Sequence, residues 1–344
     1  MPKKIDCFLF FQELDLLEIR LRYLYDVVDH FVIIEAGQAF SGRAKPFFFE
    51  QHAARFAPFA DKIVYFKLDE FHRSFGSVID TLRAKRDPVS RKLLDIMQAD
   101  SHVDRNELHW VLEEYHRECL FYPLSRIAEP DDLILFSDLD EIPSRSAITI
   151  AESVVAPGQG ASFVCAEFDY FVNWLKFDGW LGPSASLWQD VQAGSLNGLR
   201  QRVRSTDDAA GTRRIEHGGA HFTSCGGLAA VERKVESWGH QEFNTTLVKS
   251  RLRTNIRYGR DVFFRGGNAL THVDVDDSDY FDAKLRAILL DYPQLIAAAP
   301  EQETLLSALL YRVDQAHFKV LRLMQKVKSV TRAVLAPQRG GAKR

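Results

Sequence analysis

The sequence predicts an α/β fold in which a Rossmann-type mixed sheet is flanked by helices and followed by a helical C-terminal extension. Three apolar runs at residues 5–11, 31–35 and 62–68 have the length of buried strands. A segment with helical spacing lies between the first two runs, and such strand–helix–strand alternation favours parallel strands. Hydrophobic residues make up 46% of the chain, with 25 Phe, which is enough for a sizeable core.

The first half of the chain supplies most of the predicted elements. Residues 13–25 place leucines three or four positions apart, as in an amphipathic helix. The polar segment 69–105 predicts a mobile insertion with one short helix near 92–98, and residues 107–127 predict one long helix. A strand over 133–136 comes next, and Ser144 is expected to cap the helix after it.

The second half is richer in loops. Residues 161–170 predict a strand, and 171–227, rich in Trp, Gly and Asn, predict antiparallel strands and loops around a cleft. Helices are expected at 228–237 and 243–253, and most of 281–335 should be helical.

Composition excludes several classes of protein. No signal peptide and no run of 18 apolar residues is recognisable, and the four scattered cysteines form no CxxC, so a reduced protein of the cytosol is expected. The net charge is −3, and because eight cations follow residue 317, residues 1–317 carry about −11. An acidic body argues against nucleic-acid binding.

The stretch LILFSDLDEIP at 133–143 ends a buried strand in three carboxylates, Asp138, Asp140 and Glu141. Ligands of open α/β sheets sit beyond the carboxyl ends of the strands, and adjacent carboxylates need a cation partner. Oxygen ligands of this kind suit Mg²⁺ or Mn²⁺ with a substrate phosphate. Asp-x-Asp alone occurs about once per chain of this size by chance, and two more such pairs lie in the polar loop 274–279, where solvation explains them.

Three further patterns supply candidate site residues. In SGRAKP at 41–46, Arg43 and Lys45 are candidates for phosphate binding, with Glu35 at the preceding strand end as an acceptor for a ribose. His221 lies among glycines in EHGGAHFTSCGG and is a candidate metal ligand or phosphate donor. Glu242, in WGHQEFN before a helix, is a candidate general base. Each pattern is also compatible with an ordinary turn, a buried histidine or a helix cap.

Taken in order, FFQELDLLEIRL, VDHFVIIEAGQAFSGRAKP, LFSDLDEIP, GGAHFTSCGG and HQEFN resemble glycosyltransferase family 17, the β-1,4-mannosyl-glycoprotein β-1,4-N-acetylglucosaminyltransferase family. The similarity covers roughly residues 5–270 and is greatest to soluble, bacterial-type members. It implies a GT-A-like catalytic domain, which we place at residues 1–280, followed by a helical extension with a basic tail over 281–344.

The resemblance also implies a reaction. It indicates an inverting transferase that moves a sugar, GlcNAc from UDP-GlcNAc, onto a glycan hydroxyl with the help of Mn²⁺ or Mg²⁺. Asp140 would hold the metal at the diphosphate, and Asp138 would face the ribose or a metal-bound water. Glu13, in the first motif, joins the nucleotide-sugar-binding candidates. For the base, Glu242 comes first, with Asp261 and Glu216 behind it.

Three alternative functions and one question about the C-terminal segment stay open. The first is a transferase of the same fold that uses another donor for a surface polysaccharide, and the second is a sugar-binding protein that retains the cleft without catalysis. A haloacid-dehalogenase-type phosphatase also places Asp-x-Asp after an apolar strand, but with a hydroxyl residue where Ile142 stands here. The basic, amphipathic segment after residue 317 predicts either peripheral contact with the inner face of a membrane, near a lipid-linked glycan, or packing on the body.

Overall fold

The computed structural model describes residues 2–99, 104–204, 211–237, 239–266, 269–276 and 279–335. Within these residues, nine strands form one mixed sheet in the order β3-β2-β1-β4-β7-β6-β8-β5, with β9 beside β7. The strands are β1 (Lys4–Phe10), β2 (His30–Ala36), β3 (Ile63–Leu68), β4 (Leu133–Phe136), β5 (Glu141–Pro143), β6 (Gly160–Asp169), β7 (Trp174–Leu187), β8 (Thr212–Thr223) and β9 (Thr271–His272). The predicted α/β fold is confirmed.

Helices cover both faces of the sheet. They are α1 (Leu14–Leu24), α2 (Phe48–Gln51), α3 (Ala53–Phe56), α4 (Phe75–Lys85), α5 (Pro88–Gln98), α6 (Leu108–Glu118), α7 (Phe121–Ile127), α8 (Arg145–Val154), α9 (Trp188–Ala193), α10 (Leu196–Arg204), α11 (Gly227–Ser237), α12 (Thr246–Arg257), α13 (Ala283–Leu289) and α14 (Leu305–Leu335). Short 3₁₀ turns lie at Ala57–Phe59, Gln241–Phe243 and Pro293–Leu295. Ser144 caps α8 as predicted, because its side chain accepts from the Ala147 N–H.

The parallel half of the sheet separates two cores. β1 pairs in parallel with β2 and β4, and β2 with β3. Side chains of β1 alternate between the faces, so Phe8 and Phe10 join the core beneath α1 while Ile5 and Cys7 join the core beneath α4–α7. Both faces of these strands are buried, which explains their continuous apolar runs.

The second half of the sheet changes direction. β7 is antiparallel to both β4 and β6, whereas β8 runs parallel to β6. The prediction of antiparallel strands and loops over 171–227 was therefore right for β7 and missed the parallel pairing of β8 and the helices α9 and α10. The chain thus switches from parallel to antiparallel pairing at β4, next to the acidic stretch.

Two helix predictions were wrong in detail. Residues 69–105 carry two helices, α4 and α5, and bury Leu82 and Met97 in the core, so most of this segment is packed structure; residues 100–103 lie outside the described part.

The predicted long helix over 107–127 is divided into α6 and α7 around Leu120. Pro123 explains the division, since a helix accepts proline in its first turn and not in its interior.

The C-terminal helices pack in two places. Leu285 and Leu289 of α13 join the core that contains Phe8, whereas Phe318 of α14 joins a third core with Phe243 and Phe264. Through the described part of the chain, no helix is both long enough and apolar enough to cross a bilayer.

Candidate active site

A cavity of about 520 Å³ opens at the carboxyl ends of β1, β2, β4, β6 and β8. This is the position at which open α/β sheets bind ligands, since the parallel pairing reverses beside β4. Five of the residues predicted from sequence line it: Glu13, Lys45, Asp138, Asp140 and His221. The structure therefore brings together motifs that lie more than 200 residues apart in the chain.

A buried arginine fixes the backbone of the acidic stretch. Arg20 of α1 is fully buried and donates from Nε and Nη2 to the Asp6 carboxylate at 2.8 and 2.6 Å. Its Nη1 donates to the carbonyl oxygens of Asp138, Leu139 and Glu141 at 2.9–3.0 Å. The turn that carries the carboxylates is thus held from behind by an ion pair in the core.

Two guanidinium groups hold the Asp138 carboxylate. Arg200 of α10 contacts Oδ2, and Arg117 of α6 lies 3.2 Å from Oδ1. Both arginine side chains are at least 89% buried, so the pairing is partly desolvated and strong. Asp138 is therefore already engaged by two cations, which leaves its carboxylate less available to a metal than that of Asp140.

Glu141, fully buried, connects this turn to the wall of the cavity. Its carboxylate accepts from the Asp138 N–H at 3.0 Å and from the Trp180 indole N–H at 3.0 Å, with Arg200 at 3.4 Å. A side chain at Gly182 would have its Cβ about 2.5 Å from both the indole nitrogen and the Glu141 carboxyl, so only glycine fits there. Glu141 thus positions Trp180.

Asp140 faces the cavity beside two cationic groups. Its carboxylate lies 3.5 Å from Lys234 Nζ and 3.7 Å from His221 Nε2. Burial raises the pKa of Asp140, but Lys234 and His221 outweigh it and hold the pKa below its usual value. Burial lowers the pKa of Lys234, yet the carboxylates of Asp140, Asp169 and Glu13 raise it overall. Asp140 is therefore an anion across the physiological pH range.

The donor atoms at Asp140 suit a divalent cation that takes most of its ligands from elsewhere. Asp140 offers carboxylate oxygen with 21% of its side chain exposed, and His221 Nε2 lies 3.7 Å from that carboxylate. Among the residues that the structure describes, no three His, Cys, Asp or Glu side chains form a metal cluster. Mg²⁺ and Mn²⁺ habitually complete their shells with water and substrate phosphates, so one or two protein ligands are sufficient.

The predicted phosphate loop contributes only in part. Lys45 lines the cavity and donates to Glu35 at 2.7 Å, while Arg43 is exposed outside it. Glu35 is fully buried and also accepts from the Tyr65 hydroxyl and from two N–H groups at the start of α2. Its carboxylate therefore supports Lys45 from within the protein. Burial raises the pKa of Glu13 at the cavity wall.

The three candidate bases lie away from the lining. Glu242 accepts from His240, which does line the cavity, and its other neighbour is Arg322 at 3.8 Å. Asp261 is held by Arg265, and Glu216 is exposed on β8. None of the three carboxylates contacts the space above Asp140.

Asp169, at the end of β6, is a cavity carboxylate that the sequence patterns did not single out. Its side chain is 97% buried, its Oδ1 has no hydrogen-bond partner, and Lys176 lies 3.7 Å from Oδ2. Burial raises the pKa of Asp169 to about 6, with Glu167 and Asp261 adding to the rise and Lys176 and Lys234 opposing it. The sequence does contain a signal for this position, because an apolar strand ends there in AEFDYF, as β4 ends in its carboxylates.

Comparison with known proteins adds one match. Residues 1–86, which contain β1 to β3, α1 and the Lys45 loop, match the family model described as Glycosyltransferase family 17. No curated protein matches the chain. A match to this family suggests glycosyl transfer, and the matched segment includes Arg20, which fixes the acidic turn. Over residues 1–86, the match supports the resemblance to glycosyltransferase family 17 that the first two motifs show.

Proposed function

We propose that the protein is an inverting, metal-dependent glycosyltransferase that moves GlcNAc from UDP-GlcNAc onto a glycan hydroxyl. One observation carries the proposal: the cavity at the strand ends combines a half-buried carboxylate, Asp140, with the half-buried Lys234 and the buried guanidinium groups of Arg117 and Arg200. A phosphatase or a plain sugar-binding site has less need for so many cations around an acidic pair. A nucleotide diphosphate needs both the cations, which bind its phosphates, and the carboxylates, which hold its metal ion.

The cations suit the leaving diphosphate. Guanidinium groups present paired N–H donors that match phosphate oxygens, and Lys234 adds a point charge within the same wall. A divalent cation held by Asp140 would supply Lewis-acid stabilisation of the charge on that diphosphate. Arg117 and Arg200 are already oriented by Asp138, so they need little reorganisation when a donor binds.

The wall of the cavity that β7 contributes suits a sugar. Trp180 and Phe177 of β7 line the cavity, and Phe177 is 43% exposed. The Trp180 indole stacks on the His221 ring with centroids 4.5 Å apart, and Glu141 holds its N–H. Fixed aromatic faces of this kind pack against the apolar face of a pyranose. We assign this wall to the transferred sugar or the first acceptor residue.

We propose Asp169 as the general base, with Glu242 as the second candidate. The acceptor hydroxyl oxygen would bond to the anomeric carbon while the bond from that carbon to the diphosphate oxygen breaks. The bonding electrons leave with UDP, and the hydroxyl proton passes to the Asp169 carboxylate. Asp169 Oδ1 lacks a partner, and the positive charge of Lys234 acts on both Asp169 and Asp140, so the proposed base and the proposed diphosphate site share one lysine.

The pH dependence of the reaction tests this base. Because Asp169 must be deprotonated, we expect kcat/KM to fall as the pH drops through about 6. Asp169→Asn should remove that limb and reduce transfer by about 10²–10⁴-fold while donor binding persists. Asp178→Asn, an exposed carboxylate on β7, is the matched control and should match the wild type. A wild-type profile retained in Asp169→Asn would move the base to Glu242, whose Gln variant is tested in parallel.

A donor screen tests the function itself. Thermal unfolding with Mn²⁺ and a panel of nucleotide sugars should show the largest rise in midpoint with UDP-GlcNAc. At a hundredfold excess over the dissociation constant, binding should add about 3 kcal/mol to the free energy of unfolding. Release of UDP on addition of an oligosaccharide then separates an enzyme from a binding protein. A larger shift with another nucleotide sugar would reassign the donor, and phosphate release from a simple phosphomonoester without any nucleotide-sugar binding would argue for a phosphatase.

The acceptor we propose is a glycan or lipid-linked glycan, reached from the cytoplasmic side of a membrane. This choice follows from the basic, amphipathic sequence after residue 317 and from the acidic remainder of the chain, which disfavours nucleic-acid partners. The donor diphosphate accounts for the cationic part of the cavity lining, and the sugars account for its aromatic part.

A further inference from the structure

The long helix α14 contacts the body through one face, as far as its described side chains, residues 305–324, show. Phe318 stacks on Phe243 and packs against Phe264, with ring centroids 5.7 and 5.6 Å apart. The Tyr311 hydroxyl donates to the Asp261 carbonyl at 3.0 Å. These contacts place the inner face of the helix firmly against the third core.

The outer face is apolar and exposed. Eight side chains, each 50–93% exposed, form what we call the outer stripe: Leu305, Leu306, Leu309, Leu310, Val313, Val320, Leu323 and Met324. Their spacing of three, four and seven residues puts them on one side of the helix over about 30 Å. Exposed apolar residues scattered singly are ordinary, but a continuous stripe of this length marks a docking surface.

The charges beside the stripe indicate what it docks on. Arg312 and Lys319 are exposed and lie seven residues apart, so they flank the stripe on the same side. From residue 318 to the C-terminus the sequence contains eight Lys and Arg and no Asp or Glu. We propose that the outer stripe lies on an anionic membrane surface, with the stripe at the acyl boundary and the cations among the headgroups.

A second copy of the chain is the main competing partner. Leu306, Val313 and Val320 fall seven residues apart, as in a coiled coil. Two such helices in parallel would, however, bring two basic tails together with no acidic residue on either to offset them. Charge complementarity therefore favours anionic lipid. This inference is independent of the proposed reaction, because it uses no residue of the cavity.

Vesicle binding of the whole chain tests the proposal. We expect co-sedimentation with phosphatidylcholine–phosphatidylglycerol vesicles, weak binding to phosphatidylcholine alone, and loss of binding at high salt. The triple variant Leu306→Gln, Leu309→Gln, Leu323→Gln should bind at least about tenfold more weakly, and Lys319→Glu should weaken binding about tenfold. Point variants are preferable to truncation, because removing α14 would also remove Phe318 from the third core.

The controls separate membrane binding from misfolding and from self-association. Ser250→Gln, on the exposed surface of α12, should bind vesicles as the wild type does. Unchanged thermal unfolding of the triple variant shows that its fold is intact. Equal vesicle binding by wild type and triple variant would overturn the proposal. Absence of vesicle binding by the wild type would also overturn it. If the wild type sediments as a dimer and the triple variant as a monomer, the outer stripe binds a second copy of the chain instead.

Discussion

Arg20→Met should lower the free energy of unfolding by about 3–5 kcal/mol, because it leaves the Asp6 carboxylate buried without its partner. The same change removes the donors to the carbonyl oxygens of Asp138, Leu139 and Glu141. Any protein that still folds should therefore lose transferase activity as well as stability. Denaturant unfolding followed by fluorescence, together with an activity assay on the folded fraction, measures both effects.

Two variants separate the ion pair from the turn. Arg22→Met, on the same helix, breaks a partly exposed pair with Asp291 and a contact with the Tyr292 ring, and should cost less than about 1 kcal/mol. The double variant Asp6→Leu, Arg20→Met removes the unpaired charge and should recover part of the stability but none of the activity. If Arg20→Met were as stable and as active as Arg22→Met, the buried pair would not fix the turn.

Asp140→Asn should reduce transfer by about 10²–10³-fold, since it removes the carboxylate that we propose as the metal ligand at the diphosphate. The amide is nearly isosteric, and Asp140 is partly exposed, so we expect thermal stability to change little. The variant should also need more Mn²⁺ for its residual activity. Initial rates of UDP release across a Mn²⁺ titration measure the loss and the shift together.

The chain provides its own control for this substitution. Asp276 belongs to another Asp-x-Asp pair and is exposed on a loop away from the cavity, so Asp276→Asn should leave turnover and Mn²⁺ dependence unchanged. Full Mn²⁺-dependent turnover by Asp140→Asn would exclude Asp140 as the metal ligand. The diphosphate would then be bound by Arg117, Arg200 and Lys234 without help from Asp140.

The parallel strands and the position of the acidic pair were predictable from the sequence, because both depend on local pattern. Apolar runs of strand length mark β1, β2 and β4, and the carboxylates follow β4 directly. The buried ion pair is also visible in the sequence pattern, since Asp6 interrupts an apolar strand and Arg20 interrupts the apolar face of α1. A single charge in each of two consecutive buried elements is a signal for such a pair.

The partners of the acidic pair were not predictable in this way. Arg117, Arg200 and Lys234 lie more than 30 positions apart on three different helices, and surface arginines on amphipathic helices look the same in sequence. Only the folding of α6, α10 and α11 around one cavity distinguishes them. Asp169 was missed for a related reason, because its raised pKa arises from burial and from charges on other elements.

The place of α14 has a geometric consequence for the choice of acceptor. Its inner face packs on Phe243 and Phe264, whose chain neighbours His240 and Phe263 line the cavity. A helix is about 10 Å thick, so a protein resting on its outer stripe would hold the cavity wall at about that height above the lipid. At this height the helix would act as a spacer that selects acceptors by length. Hydroxyl groups on the first sugars of a lipid-linked glycan would lie within reach, whereas those far along a polymer would have to fold back toward the membrane.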